Sequence, residues 1–163
     1  MNAFNLSFDD LPASLPVFPL TGVLLLPRGR LPLNIFEPRY ISMISDAMGD
    51  GRIIGMLQPT NPSSQDINPS VYKTGCAGRI VKFEETDDGR ILITLLGLNR
   101  FKVRDELPLK HGYRSVITDW MPYRHDLNQL KHDEIDRVRL LAGLQGYFKL
   151  HGIRVDWENV EEA

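Results

Sequence analysis

Only one cysteine occurs in 163 residues, Cys76. A lone thiol rules out an internal disulfide framework and any zinc site built on several cysteines, and it suits a reducing compartment. No long apolar run is present: the VLLL cluster at 23–26 is far shorter than the ~20 residues a spanning helix needs. The start, MNAFNLSFDD, has neither a basic nor an apolar stretch and does not read as a secretory signal. No G-x-x-x-x-G-K-[ST] occurs and no glycine precedes a lysine, so the loop that cradles nucleotide phosphates is missing. The strained G-x-S-x-G turn that presents a nucleophilic serine is missing too. So are H-x-x-x-H and H-E-x-x-H, the pairings that place two metal ligands on one helical face. Charge of one sign is also lacking. A net charge of −2 and a pI of about 6.1 give no global attraction to nucleic acid or anionic lipid. These absences lead to the expectation of a soluble, cytoplasmic protein with no catalytic residues, no metal and no cofactor, and without a membrane partner.

What is present begins with proline. Residues 16–40 read PVFPLTGVLLLPRGRLPLNIFEPRY, with Pro16, Pro19, Pro27, Pro32 and Pro38 cutting the apolar text. Proline fixes φ, removes a backbone donor and pushes the preceding residue into extended geometry. The pieces 17–18, 23–26 and 31–36 therefore read as short strands joined by corners. Pro38 suits a first helical position, where its missing N–H has no partner to lose. Ile41, Ile44 and Met48 then share one face of a helix over 38–48 that Gly49 ends.

Further along, 52–58 reads as a short apolar strand, and the proline- and serine-rich stretch 59–70 as a loop. Segments 73–85 and 90–104 are rich in Val, Ile, Phe and Thr, and Asp88-Gly89 between them supplies hairpin-turn chemistry. Gly75, Gly78 and Gly97 inside these strands mark bulges or corners. Residues 113–121 form one more strand, stopped by Pro122. Ile135, Val138, Leu141, Ala142, Leu144 and Phe148 make a helical stripe closed by Gly152. Strands first and helices last give an α+β class with a β-barrel core. The expected division is an N-terminal arm at 1–14, a barrel at 15–121 and a helical segment at 122–163. Asp156 reads as a helix cap so near Ala163 that the last helical piece is expected to have been cut short.

The ordered blocks FPLTGVLLLPRGRLPLNIFEPRY (18–40), RIIGMLQP (52–59) and VYKTGCAGRIVKFEETDDGRILITLLGLNRFKV (71–103) resemble the N-terminal substrate-binding domain of Lon protease. The wording NIFEPRY is closest to the stand-alone bacterial form, which lacks the ATPase and protease domains. The resemblance implies a PUA-like mixed β pseudo-barrel with one inserted helix and a small C-terminal helical part. It also implies a non-catalytic domain that recognises unfolded or extended polypeptide. Carried over by position, the candidate groove residues are Phe18, Leu20, Leu33, Ile35, Phe36 and Tyr40, rimmed by Glu37 and Arg39.

Three alternatives compete with this reading. A PUA-like barrel can bind RNA, and Arg28, Arg30 and Arg39, or Arg100, Lys102, Arg104, Lys110 and Arg114, are the cations that would do it. Interleaved acids and the lack of an aromatic stacking platform disfavour nucleic acid as the partner. A cryptic hydrolase or peptidase is the second alternative, but no serine sits in a strained turn, and Cys76 in TGCAG reads as a packed thiol. His125 and His132, seven apart among acidic residues, are the third, a metal pair. They lack the third ligand a metal needs and fit a solvated helix start instead.

Overall fold

A computed structural model of the chain describes residues 6–128 and 136–155. The elements are β1 (Ser14–Pro19), β2 (Arg30–Ile35), α1 (Pro38–Gly49), β3 (Ile53–Leu57), β4 (Thr74–Glu85), β5 (Ile91–Lys110), β6 (Tyr113–Asp119) and α2 (Arg137–Leu150). The sheet order is β2-β5-β4-β3-β1-β6, and β6 also pairs with β5. Twenty residues of β5 make this closure available. Its first part lies between β2 and β4, and its second part reaches β6. β5, β4, β3, β1 and β6 therefore form a ring, with β1–β3 its one parallel pair. The fold is an α+β, PUA-like pseudo-barrel with α1 inserted between β2 and β3.

Every residue of β3 is buried, which explains why IIGML shows no polar alternation. Ile54 and Met56 join a core with Tyr40, Met43, Ile44 and Ala47 of α1. Ile53 and Leu57 point the other way, into a core around Phe101, Val116 and Trp120. Leu6, Phe8 and Leu11 pack onto this second core, and Trp120 Nε1 donates to the Pro12 carbonyl at 2.9 Å. The helix begins as its sequence requires: Glu37 is extended (φ −71°, ψ 132°) and Pro38 follows at the first turn.

One expected strand is a loop. In 23–26 only Leu25 is buried, and Leu24 and Leu26 are exposed. Its polar backbone is satisfied without a ladder. Gln58 Nε2 donates to the Val23 carbonyl at 2.9 Å, and Gly29 N–H to that of Leu26 at 2.9 Å. The loop then runs so close to β5 that Gly97 exchanges two hydrogen bonds with Arg28 and Gly29, each at 2.8 Å. The β4–β5 register shifts beside Gly78 and Gly97, where the glycines mark a bulge. The 86–89 turn needs positive φ only at Gly89. The β5–β6 turn needs it at both His111 (49°) and Gly112 (82°), the type I′ pattern.

The tip of that hairpin is tied to α1 by one carboxylate. Asp46 Oδ2 accepts from Tyr113 Oη at 2.6 Å, with Lys110 Nζ at 3.1 Å and His111 Nδ1 at 3.2 Å. The Tyr113 hydroxyl foremost, then Lys110, holds the Asp46 carboxyl down at about 2. Contacts divide the chain after Leu127. In the second unit, Asp136 caps α2 by accepting from the Arg139 amide at 3.0 Å, and Gly152 (φ 64°) follows its end. The expected stripe residue Ile135, the histidine at 132 and the last helical piece after Asp156 lie outside the described residues.

Two glycine substitutions should move stability in opposite directions. A Cβ at Gly75 would stand 2.5 Å from the Met56 carbonyl oxygen, a backbone atom with little room to yield. Gly75→Ala should cost about 1–3 kcal/mol in urea unfolding. Gly143 in α2 has open space around it, so Gly143→Ala should raise helicity and add up to about 1 kcal/mol. A neutral Gly75→Ala would contradict the packing described.

Asp46 gives a pH test. Its folded pKa is depressed, so its contribution is complete above the unfolded carboxylate value of about 3.9 and is lost as pH falls through about 2. The stability gap between the native chain and Asp46→Asn should be constant at neutral pH and close across that acid window. A gap unchanged from neutral pH down to pH of about 2 would show that the carboxylate is not anchored.

Candidate functional site

Among the described residues β2 has a strand neighbour on one side only, β5. Its residues alternate as strand geometry demands, with Ile35 buried and Pro32 and Asn34 outside. Beyond its end the chain turns through Phe36 and Glu37 into α1. Across from this corner lie the exit of β1 and the 59–70 loop. Between them is a groove of about 390 Å³.

The floor is aromatic. Phe18 and Tyr40 are buried, with ring centroids 4.2 Å apart and planes tilted by 41°. Leu20 and Leu33 are half-buried beside them. The rim carries two large apolar side chains in water, Phe36 at 64% and Ile67 at 72% exposure. Burial raises the Tyr40 phenol above its ordinary value, with Arg39 opposing and Glu37 adding to the rise. The hydroxyl therefore stays neutral near pH 7.

Two guanidinium groups hold the loop in place. Arg39 Nε and Nη2 each lie 3.0 Å from Glu37 Oε2, and Nη1 donates to the Ile67 carbonyl at 2.6 Å. The Arg39 guanidinium also sits 4.5 Å from the Tyr40 ring centroid. Arg114 is buried, pairs with Glu106, and donates from Nη1 to the Pro69 carbonyl at 2.6 Å. Planar forks of this kind fix direction as well as distance.

Phe18, Leu20, Leu33, Phe36, Glu37, Arg39 and Tyr40 line this one groove. Ile35 does not. It is 1% exposed and joins the core with Ile91 and Ile93, because strand alternation turns it inward. The sequence reading missed Pro59, Ser64, Asp66, Ile67 and Pro69 of the loop, and it placed Arg114, which holds the loop from behind, in a candidate nucleic-acid stripe. An available signal was the proline spacing at 59, 62 and 69 between two strands, which shapes a loop able to fold back.

Four of the eight cations that could serve nucleic acid are paired with carboxylates of the chain itself. Arg39 pairs with Glu37, Arg100 with Asp126, Lys110 with Asp46 and Arg114 with Glu106. Arg100 binds Asp126 with both Nε and Nη2 at 2.8 Å and stacks over Tyr123. Cys76 is buried, and its thiol is pushed up to about 12, chiefly by burial. It is therefore protonated and inert as a nucleophile. Among the described residues no three His, Cys, Asp or Glu side chains converge, and no helix is long and apolar enough to cross a membrane.

Sequence comparison gives the family of this barrel. Residues 14–148 match the family described as ATP-dependent protease La (LON) substrate-binding domain, and the chain belongs to it. Lon protease of Flavobacterium johnsoniae is 31% identical over 137 residues, covering 82% of this chain. Lon protease 2 of Myxococcus xanthus is 31% identical over 96 residues, or 58% of this chain. The aligned parts are only 17% and 12% of those relatives' lengths. Among solved structures, the Lon N-terminal domain protein from Xanthomonas campestris superposes with a TM-score of 0.53 at 31% identity. That match covers 66% of this chain and 59% of the other. The N-terminal domain of Mycobacterium avium complex Lon protease gives 0.51 at 17% identity over 86% and 72% of the two chains, a likeness of fold.

Arg39→Ala should release the loop without melting the barrel. Amides of residues 64–67 should exchange with solvent faster, while those of β3 and β4 keep their protection. The lost hydrogen bonds should lower global stability by about 0.5–1.5 kcal/mol. Unchanged exchange in the loop would show that Arg39 does not position it.

Proposed function

We propose that this chain is a non-catalytic polypeptide-recognition domain that binds unfolded or extended protein segments in the groove beside β2. The observation that carries the reading is the pair of exposed side chains, Phe36 and Ile67, in the lining of an aromatic-floored groove. Exposed apolar groups framed by polar ones are characteristic of protein-binding surfaces. The outer edge of β2 adds a short row of backbone groups that an extended guest can pair with. Pro32 interrupts that row because it has no N–H, so a guest gains only a limited ladder and side-chain contacts supply most of the affinity. Binding should be weak, since ordering a flexible guest costs entropy that offsets much of the contact energy.

Family membership supports substrate recognition. The matched region corresponds to the substrate-binding domain and not to the protease domain, and the sequence has neither phosphate loop nor nucleophile elbow. Incubated with ATP and unfolded casein, the purified chain should release neither phosphate nor fragments beyond a mock preparation. ATP-dependent cleavage by this chain alone would overturn the reading.

Paired variants test the groove. Phe36→Ala should weaken binding to a permanently unfolded polypeptide about fivefold or more and leave thermal stability nearly unchanged. Ile35→Ala should cost about 2–5 kcal/mol of stability, while its folded fraction binds normally. The reverse pattern would move the site elsewhere. Affinity for a neutral guest should change little between about 50 and 200 mM salt, whereas an RNA partner contacting several phosphates would lose roughly 10³–10⁵.

A further inference from the structure

We propose that the groove selects extended segments in which an apolar residue is flanked by lysine or arginine, and disfavours those flanked by aspartate or glutamate. The inference rests on the polypeptide-recognition reading above and adds the chemistry of the guest. Its basis is the charge left over when the groove's internal contacts are complete. The lining holds two carboxylates, Glu37 and Asp66, and one cation, Arg39. Among the described residues no lysine or histidine lines it. Arg39 is turned inward: three of its nitrogens are committed to Glu37 Oε2 and the Ile67 carbonyl, and its side chain is 20% exposed. Glu37 has 44% of its side chain in water, and Asp66 is exposed. The positive charge at this site is therefore consumed in holding the loop, and the surface facing a guest is net negative.

Position matters as much as sign. Glu37 follows Phe36 at the strand-to-helix corner, and Asp66 precedes Ile67 on the loop. Each exposed apolar rim residue thus has a carboxylate as its chain neighbour. An apolar guest side chain that contacts Phe36 and Ile67 brings its own neighbours toward the chain segments that carry those two acids. Basic neighbours gain attraction there and acidic ones meet repulsion. Lysine and arginine also lay their alkyl stems along apolar surface while the charge stays in water, which suits a rim of this composition.

The test uses the full chain and three synthetic peptides with the same Leu-Phe-Val centre, flanked by Lys, Gln or Glu. Affinity should fall in the order Lys, Gln, Glu. At about 50 mM salt the Lys peptide should bind about three- to tenfold tighter than the Glu peptide. At about 500 mM salt the difference should nearly vanish through screening. Asp66→Asn should shrink the Lys–Glu difference and leave the Gln peptide unaffected. Asp87→Asn, which removes one acid from the exposed β4–β5 turn, controls for the overall charge and should leave the difference intact. Thermal melting of both variants confirms that the fold is unchanged.

Equal affinity of the three peptides, or a Lys–Glu difference that Asp87→Asn reduces as much as Asp66→Asn, overturns the charge proposal. If Phe36→Ala still weakens all three in that case, the groove reading survives alone. If Phe36→Ala and Ile67→Ser leave all three affinities unchanged, the groove reading itself fails and takes this inference with it.

Discussion

The Phe101 ring occupies space that two glycines leave open, and the barrel depends on that fit. A Cβ on Gly55 of β3, or on Gly75 of β4, would stand 2.8 Å from Phe101 Cζ. Phe101 is fully buried and meets Trp120 edge-on at 5.6 Å. Because the ring lies against the bare backbone of two strands, β3 and β4 come close to β5 without a gap that water could enter. That approach fixes β3, and β3 in turn carries β1 by parallel pairing from Val17 to Pro19. The exit of β1 is the start of the groove: Phe18 forms its floor, and the Leu20 amide donates to the Leu57 carbonyl at 3.0 Å. A packing event in one core thus sets the position of a surface site built on the other.

Within the site, arginine is used as a structural part. Arg39 and Arg114 reach backbone carbonyls 28 and 45 residues away in sequence. Each also satisfies a carboxylate, so neither charge is stranded as it leaves bulk water. The 59–70 loop has little apolar mass of its own and would otherwise have few reasons to lie in one place. The arrangement has an electrostatic consequence. Positive charge that could have faced a polyanion is turned inward, and what remains outside is apolar with an acidic bias.

Much of this was legible in the sequence. Pro38 announced the start of α1, the Val-, Ile-, Phe- and Thr-rich run 90–104 announced β5, and of the glycines read as bulges or corners, Gly78 and Gly97 do sit at a register shift. The ordered blocks identified the family, and seven of the eight residues carried over from them do line one groove. Ile35 fell outside because a list transferred by position ignores strand alternation. The VLLL segment misled because its apolar run satisfies a strand pattern equally well, while its carbonyls are met by the Gln58 side chain, 35 residues on, and by the Gly29 amide just beyond the segment. The far wall of the groove was invisible for a related reason. A guanidinium bound to a main-chain carbonyl leaves no mark on the residue types of the loop it holds, so Ile67 and Asp66 looked like ordinary loop residues.

The exposure of Phe36 follows from register. β2 is fixed to β5 by a continuous set of partners from Arg30–Leu96 to Ile35–Ile91. In that register Leu31, Leu33 and Ile35 face the core, and strand alternation sends the next side chain outward. Burying Phe36 by a one-residue slip would expose all three, at several times the apolar area gained. Pro38 then blocks the other escape. It holds Glu37 extended, so the corner cannot wind into α1 early and fold the ring away. An aromatic side chain that neither slip nor rotation can hide is presented to solvent at a fixed angle, already ordered. A guest meeting it does not spend free energy on arranging the receptor. In the proposed reading, a barrel with a limited edge and a small groove offers a flexible segment a contact whose own half is formed in advance.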